Sequence, residues 1–390
     1  MDAASVVVFT VGAFALWGYA LWWAWVQGND AWYYKWLLIL LTLFWFFGES
    51  LAIRLGKYEY PGFPWFLRVP FPGLGTPQHP GPVENLILLL VPAGEGPPWK
   101  FDPACLAGSY AIPLPVLAIE AALVFGFFRL AARVLTVQKG RWRTPIATGA
   151  LCAVLMVNAF AAFDPIVSTT MWCHMDTQPP APTTYLPFGL WNWFTIKTAP
   201  GYWFGVPIVN FAAWFLAAAV FGFFARLDDK RRGGLVRKYK SWYGYVLATI
   251  LILAIYIVSG IGLLLLLDRV LIHGQEFLFF QPIFTEQAWQ IGWVVALLIG
   301  ALRICWSAQR ANPIKIEAVA AAPLLFTMVY CLWLLLRVFH LGIAALWLVT
   351  VVFTAIVLRW EFIAQSLFGD PIQQPAVPTP SGALAGSDVE

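Results

Sequence analysis

The chain has 390 residues, of which 61% are hydrophobic, 17% aromatic and only 11% charged, and its net charge of +4 comes from 24 basic and 20 acidic side chains. A soluble domain carries about 25% charged residues, so the composition excludes a soluble globular protein and points to lipid as the surrounding solvent. The charges are dispersed, which leaves no footprint for nucleic acid.

In chain order, residues 1–26 read as a retained first span and not a signal peptide. Only Asp2 precedes the apolar run, and the run exceeds the roughly 7–15 residues of a signal core. Eight further spans follow at 36–53, 108–134, 145–163, 203–227, 243–267, 289–306, 319–336 and 341–359, which predicts an all-α, polytopic transmembrane bundle of about nine helices. Orientation follows from basic residues in short loops. Lys139, Arg141 and Arg143 follow the third span, Lys230, Arg231, Arg232, Arg237, Lys238 and Lys240 follow the fifth, and Arg303, Arg310 and Lys315 surround the end of the seventh. Alternation then puts the N-terminus outside and the C-terminus in the cytoplasm, as in an integral protein of a bacterial-type cell membrane. The domain reading is a bundle over 1–363 and a disordered cytoplasmic tail over 364–390, rich in Pro, Ser, Gly and Ala.

Two long connections, 54–107 and 164–202, fall on the outer side and hold most of the unusual polar and aromatic residues. Loops of this length are functional or disordered, and their aromatic content argues against disorder. The stretch 85–91, bounded by Pro82 and Pro92, is too short to span and reads as a re-entrant or interfacial helix. Five cysteines, at 105, 152, 173, 305 and 331, form no CxxC pair and read as buried thiols. No internal repeat is evident.

A carboxylate within a span is costly and therefore a functional hypothesis. Glu49 lies near the outer end of the second span, Glu120 lies in mid-span below Pro113 and Pro115, and Asp164 ends the fourth span, where Pro165 disfavours helical geometry at the residue before it. Each also has a plain structural reading: Glu49 as a partner of Arg54, Glu120 as a hydrogen-bonding group for a neighbouring helix, Asp164 as a helix end. In the fifth span Trp203, Asn210 and Trp214 share a helical face by spacing. An amide between indoles at lipid depth points into a bundle. Trp191, Trp193 and Tyr202 read as a cap of π surfaces that attracts cations, or as an interfacial aromatic belt, and Tyr58 and Tyr60 add aromatic lining beside Glu49.

The segment WCHMD places Cys173, His174 and Asp176 together, but adjacent residues rarely converge on one ion, and no metal site is expected. Isolated His79, His273 and His340 add no second cluster. Asp228 and Asp229 are followed by basic residues and read as a solvated helix end. No Walker loop, Rossmann fingerprint or GxSxG elbow is present.

The segments ESLAIRLGKYEYPG, AIPLPVLAIEAALVF and FDPIV, followed by WNWFTIKTAPGYWFGVPIVNFAAWF, resemble in order and spacing the membrane carotenoid biosynthesis proteins that include the bacterioruberin-type and γ-carotene-type 1′-hydratases. The resemblance covers residues 44–226. Beyond it, this chain inserts Pro-rich segments at 61–103 and 168–187 and adds spans over 243–363. The resemblance implies acid-catalysed hydration of the terminal alkene of an acyclic isoprenoid, with no cofactor. Glu49, Glu120, Asp164 and Asn210 would then be the catalytic set, and Tyr58, Tyr60, Trp191, Trp193, Tyr202, Trp203 and Trp214 would line the substrate cavity. Two alternatives stand beside it: a membrane terpene or carotenoid cyclase using the same carbocation, and a lipid transporter or scaffold without chemistry. The implied partners are a hydrophobic isoprenoid and the bilayer.

Overall fold

A computed structural model describes residues 3–26, 31–54, 58–60, 63–70, 111–135, 142–172, 182–183, 190–195, 208–230, 286–308, 317–337 and 341–358, with isolated positions 82, 203 and 206. Among them are eight helices: α1 (Ala3–Trp25), α2 (Ala31–Arg54), α3 (Leu114–Val134), α4 (Arg143–Val167), α5 (Ile208–Lys230), α6 (Glu286–Ser307), α7 (Ala318–Arg337) and α8 (Leu341–Leu358). Eight of the nine expected spans thus have a helix, and the expected span 243–267 lies outside the described residues, as do the stretch 85–91 and the tail 364–390. Four helices, α1, α3, α4 and α7, are long and apolar enough to cross a membrane, and the apolar parts of α5, α6 and α8 are shorter.

The hub of the bundle is α3. In its most apolar stretch 94% of residues are buried, against 28% in α1, so α3 is sheathed by protein while α1 presents most of its surface outward. Helices α1, α2, α4 and α7 all pack on α3, and α5 packs most extensively on α4. Small residues allow these approaches, as expected where apolar surface alone gives helices no reason to prefer one another over lipid. A Cβ on Gly149 of α4 would lie 2.5 Å from the Ala219 carbonyl of α5, and one on Gly222 of α5 would lie 2.7 Å from Cys152 Sγ. Gly126 of α3 likewise admits α7, whose Val319 carbonyl would stand 3.2 Å from an added Cβ. Polar contacts add direction: Asn158 on α4 donates to the Thr350 carbonyl and to Thr354 Oγ1 on α8, both at 3.2 Å.

The described residues are mostly helical, as the all-α reading expects, with short strands in addition. The two long connections contribute strands: β1 (Tyr58–Glu59), β4 (Ser168–Trp172), β5 (Pro182–Thr183) and β6 (Trp191–Thr195) form one sheet in the order β1-β6-β4-β5, while β2 (Arg68–Pro70) pairs antiparallel with β3 (Ala111–Pro113). Strand β4 leaves α4 directly and runs parallel to β6, with Ser168 opposite Trp191, and Tyr58 of β1 pairs with Trp193. Seven of the ten residues in the Trp-Asn-Trp-Phe-Thr and Ser-Thr-Thr-Met-Trp strands are β-branched or aromatic, which suits a pleated surface. The sheet sits over the C-terminal ends of α2 and α4 and so caps one end of the bundle.

A correction concerns Pro165. The helix does not stop at Asp164 but runs through Pro165 to Val167. Proline removes the N–H that would bond the carbonyl four residues back, here that of Ala161. That carbonyl instead accepts a hydrogen bond from Trp203 Nε1 at 2.9 Å. Ser168 then closes the helix, its hydroxyl donating to the Asp164 carbonyl at 2.6 Å. Trp203 correspondingly lies outside α5, in a tight turn bridged to Val206, and not on the helical face expected for it.

Candidate active site

Three chain segments bring the three intramembrane-type carboxyls to the same capped end. Glu49 lies in the last turns of α2, Asp164 in the last turn of α4, and Glu120 in the second turn of α3, because α3 begins only at Leu114 after the extended β3. Glu120 is therefore level with the other two, not in mid-span. All three are buried, at 6%, 4% and 1% exposure for Glu49, Glu120 and Asp164. Their charges act on one another, Glu49 on both Glu120 and Asp164, and Asp164 on Glu120.

Their hydrogen bonding is unequal. Asp164 accepts from Asn210 Nδ2, which reaches its Oδ2 at 2.5 Å, and from the Trp214 indole one turn along α5. Glu49 Oε2 accepts from the Tyr60 hydroxyl at 2.5 Å. Glu120 Oε2 has no hydrogen-bond partner among the described residues, and neither has the buried Trp45 Nε1, one turn before Glu49 on α2. No lysine or arginine pairs with Glu120 or Asp164 among the described residues.

Aromatic rings wall the carboxyls on two sides. Trp214 lies between Trp45, at 4.5 Å between centroids, and Phe160, at 4.1 Å. From the cap, Trp191 meets Tyr60 and Phe163, each at 5.9 Å, and Tyr60 meets Phe63. Phe9 of α1 and Tyr330 of α7 complete this second group, Tyr330 lying 5.7 Å from Phe9 and 6.4 Å from Phe163. The Tyr330 hydroxyl donates to the Ser5 carbonyl at 3.0 Å, which fixes α7 against α1.

Of the residues singled out from sequence, Glu49, Glu120, Asp164, Asn210, Tyr60, Trp191 and Trp214 converge here. Trp203 does not: it is partly exposed, its indole donating to the Ala161 carbonyl and its ring 6.5 Å from that of Phe211. Tyr58 and Trp193 are placed by their backbone in the β1–β6 ladder, and Tyr202 lies outside the described residues, as do His174 and its neighbours. Cys152, Cys305 and Cys331 are buried and form no disulfide with one another. Among the described residues no three His, Cys, Asp or Glu side chains are grouped as metal ligands. Trp45 and Phe160 escaped the sequence reading although each precedes a carboxylate by four residues, a spacing that could have found them. Phe9 and Tyr330 carry no such signal, since only the folded packing brings α1 and α7 to the cap.

This arrangement can hold a proton at one carboxyl and keep a second as a hydrogen-bond acceptor, beside a wall of closely packed rings. No family model, curated protein or solved structure matches the chain.

Proposed function

We propose that the chain is a membrane-embedded isoprenoid-modifying enzyme that protonates a terminal alkene and adds water to the resulting carbocation. The observation that carries this reading is the group of three buried, mutually interacting carboxyls with unequal donors, walled by aromatic rings. The resemblance of residues 44–226 to carotenoid hydratases supports the substrate class.

The inequality assigns roles. Glu120, whose Oε2 lacks a donor, carries the proton and gives it to the terminal carbon of the alkene. The tertiary cation that forms is stabilised by the carboxylate that Glu120 becomes, beside the packed rings of Trp45, Trp214 and Phe160. Asp164, held as an acceptor by two N–H groups, orients the water and takes its proton as the C–O bond forms. The sum is alkene plus water to tertiary alcohol, so no oxidant or reductant is consumed. The site lies in a bundle of nine spans with the N-terminus outside and the sheet-capped end on the outer face of the membrane.

Cyclisation is the second reading, favoured by the closeness of the aromatic wall and the sheet above it, which would keep water from the cation until an internal alkene captured it. Mass spectrometry of lipid extracts from a lycopene-producing bacterial host, with shorter polyprenyl substrates added, separates the readings. A gain of one water on expression of the chain is expected. An isomer of unchanged mass would mean a cyclase, and no new product from any substrate would contradict both and leave a transporter or scaffold.

A further inference from the structure

Three carboxyls are one more than acid and base require, and the extra one has a distinctive neighbour. Of the side chains donating to this cluster, Asn210 and Trp214 do so through amide and indole N–H groups, which hold their protons. Tyr60 donates to Glu49 through a phenol O–H, which both gives and accepts a proton. Tyr60 also occupies a different place: it follows strand β1 of the capping sheet, whereas Asn210 and Trp214 belong to α5. Its ring makes edge-to-face contacts with Phe63 and Trp191, which hold it in place while its hydroxyl reaches Glu49. Helix α2 in turn lays its Glu49 end against α3, where Glu120 lies in the second turn.

We propose that Tyr60 and Glu49 form the proton port of the cluster, the phenol exchanging protons between the capping sheet and Glu49, and Glu49 passing them to Glu120 and Asp164. Both are relay residues and do not touch the reacting carbons. The bookkeeping closes. Each turnover leaves Glu120 one proton short and Asp164 one proton rich, and transfer from Asp164 through Glu49 to Glu120 restores both without any co-reactant. That use of Glu49, in which Tyr60 takes no part, rests on the hydration chemistry proposed above. The port itself does not, because a buried carboxyl needs a route for proton exchange whatever its task.

Infrared spectroscopy of the full-length protein in lipid nanodiscs tests the route without any substrate. The carbonyl stretch of the protonated Glu120 carboxyl, identified by its loss in Glu120→Gln, shifts when the proton is replaced after transfer into D2O. In Tyr60→Phe, which keeps the ring packing, and in Glu49→Gln, this exchange should slow by at least about 100-fold, the low end of what a positioned proton carrier contributes. In Glu317→Gln, an alteration at the other end of the bundle, it should keep the wild-type rate. Wild-type exchange in Tyr60→Phe, equal slowing in Glu317→Gln, or no protonated carboxyl band that depends on Glu120 would each overturn the proposal. Failure of the alkene chemistry would show instead as missing product in lipid extracts with the exchange pattern intact.

Discussion

Helix α3 carries two buried charged sites, and they are built on opposite principles. Nine residues, about 13 Å along the axis, separate Glu120 from Arg129. At the Arg129 end, charge is matched: the guanidinium forms a bidentate pair with Glu317, ahead of α7, Nε donating to Oε2 at 3.1 Å and Nη2 to Oε1 at 3.0 Å. It also donates to the Tyr34 hydroxyl at 2.6 Å and lies 4.7 Å over the Trp23 ring. Arg133 adds a second partner to Glu317 from the next turn. This cluster ties α1, α2, α3 and α7 together with its polar atoms paired. At the Glu120 end three carboxyls of like charge crowd together, and Glu120 keeps an oxygen without a donor. A matched buried pair is a structural device. A crowded set of like charges opposes folding and persists only where something else requires it. On the function proposed above, the contrast separates the clamp of the bundle from its chemistry.

The comparison can be broken at either end. The largest effect should come from Glu120→Gln and Asp164→Asn, which keep shape and remove the proton donor or the base: product formation should fall at least about 100-fold with the purified proteins unfolding no earlier than wild type. Loss of stability without loss of turnover in either variant would reverse the assignment of the two ends. Glu317→Gln should do the opposite. It leaves Arg129 buried beside a neutral partner and should cost about 3–5 kcal/mol, read from denaturant unfolding in detergent, while activity per folded molecule is kept. Trp203→Phe removes the donor that replaces the Pro165 N–H at the Ala161 carbonyl, and about 1 kcal/mol should be lost. Because Ala161 lies one turn below Asp164 on α4, a measurable fall in activity with it would show that helix continuity through Pro165 positions the carboxyl. The smallest change should be Thr354→Val, which deletes one of the two acceptors of Asn158 at the α4–α8 contact and should cost about 0.6 kcal/mol, visible only as a small shift of the unfolding midpoint and not in turnover.

The helices were legible because long apolar runs announce themselves, and eight expected spans coincide with helices to within a few residues. The carboxyls were legible for the complementary reason, that a charge in such a run is conspicuous. Their mutual arrangement was only partly so. Asn210 and Trp214 are linked by helical spacing, but the spacing that joined Trp203 to them assumed a helix that starts five residues too early. Pro165 read as a terminator because a sequence rule sees the missing N–H and not the indole that arrives from Trp203 to satisfy the carbonyl. The sheet over the bundle was hidden because its strands are two to five residues long and one pairing, Tyr58 with Trp193, joins positions more than 100 apart. The contribution of α7 was hidden for a similar reason. Tyr330 acquires its place beside Phe163 only once Gly126 has let α7 close onto α3.

The most direct test compares lipid extracts from a lycopene-producing host expressing wild type, Glu120→Gln or Glu317→Gln, with each product yield divided by the amount of protein in the membrane. Wild type and Glu317→Gln are expected to give the hydrated product at similar yield per molecule, and Glu120→Gln none. Product from Glu120→Gln at the wild-type yield would contradict the claim that the crowded carboxyls, and not the matched ion pairs, carry the chemistry.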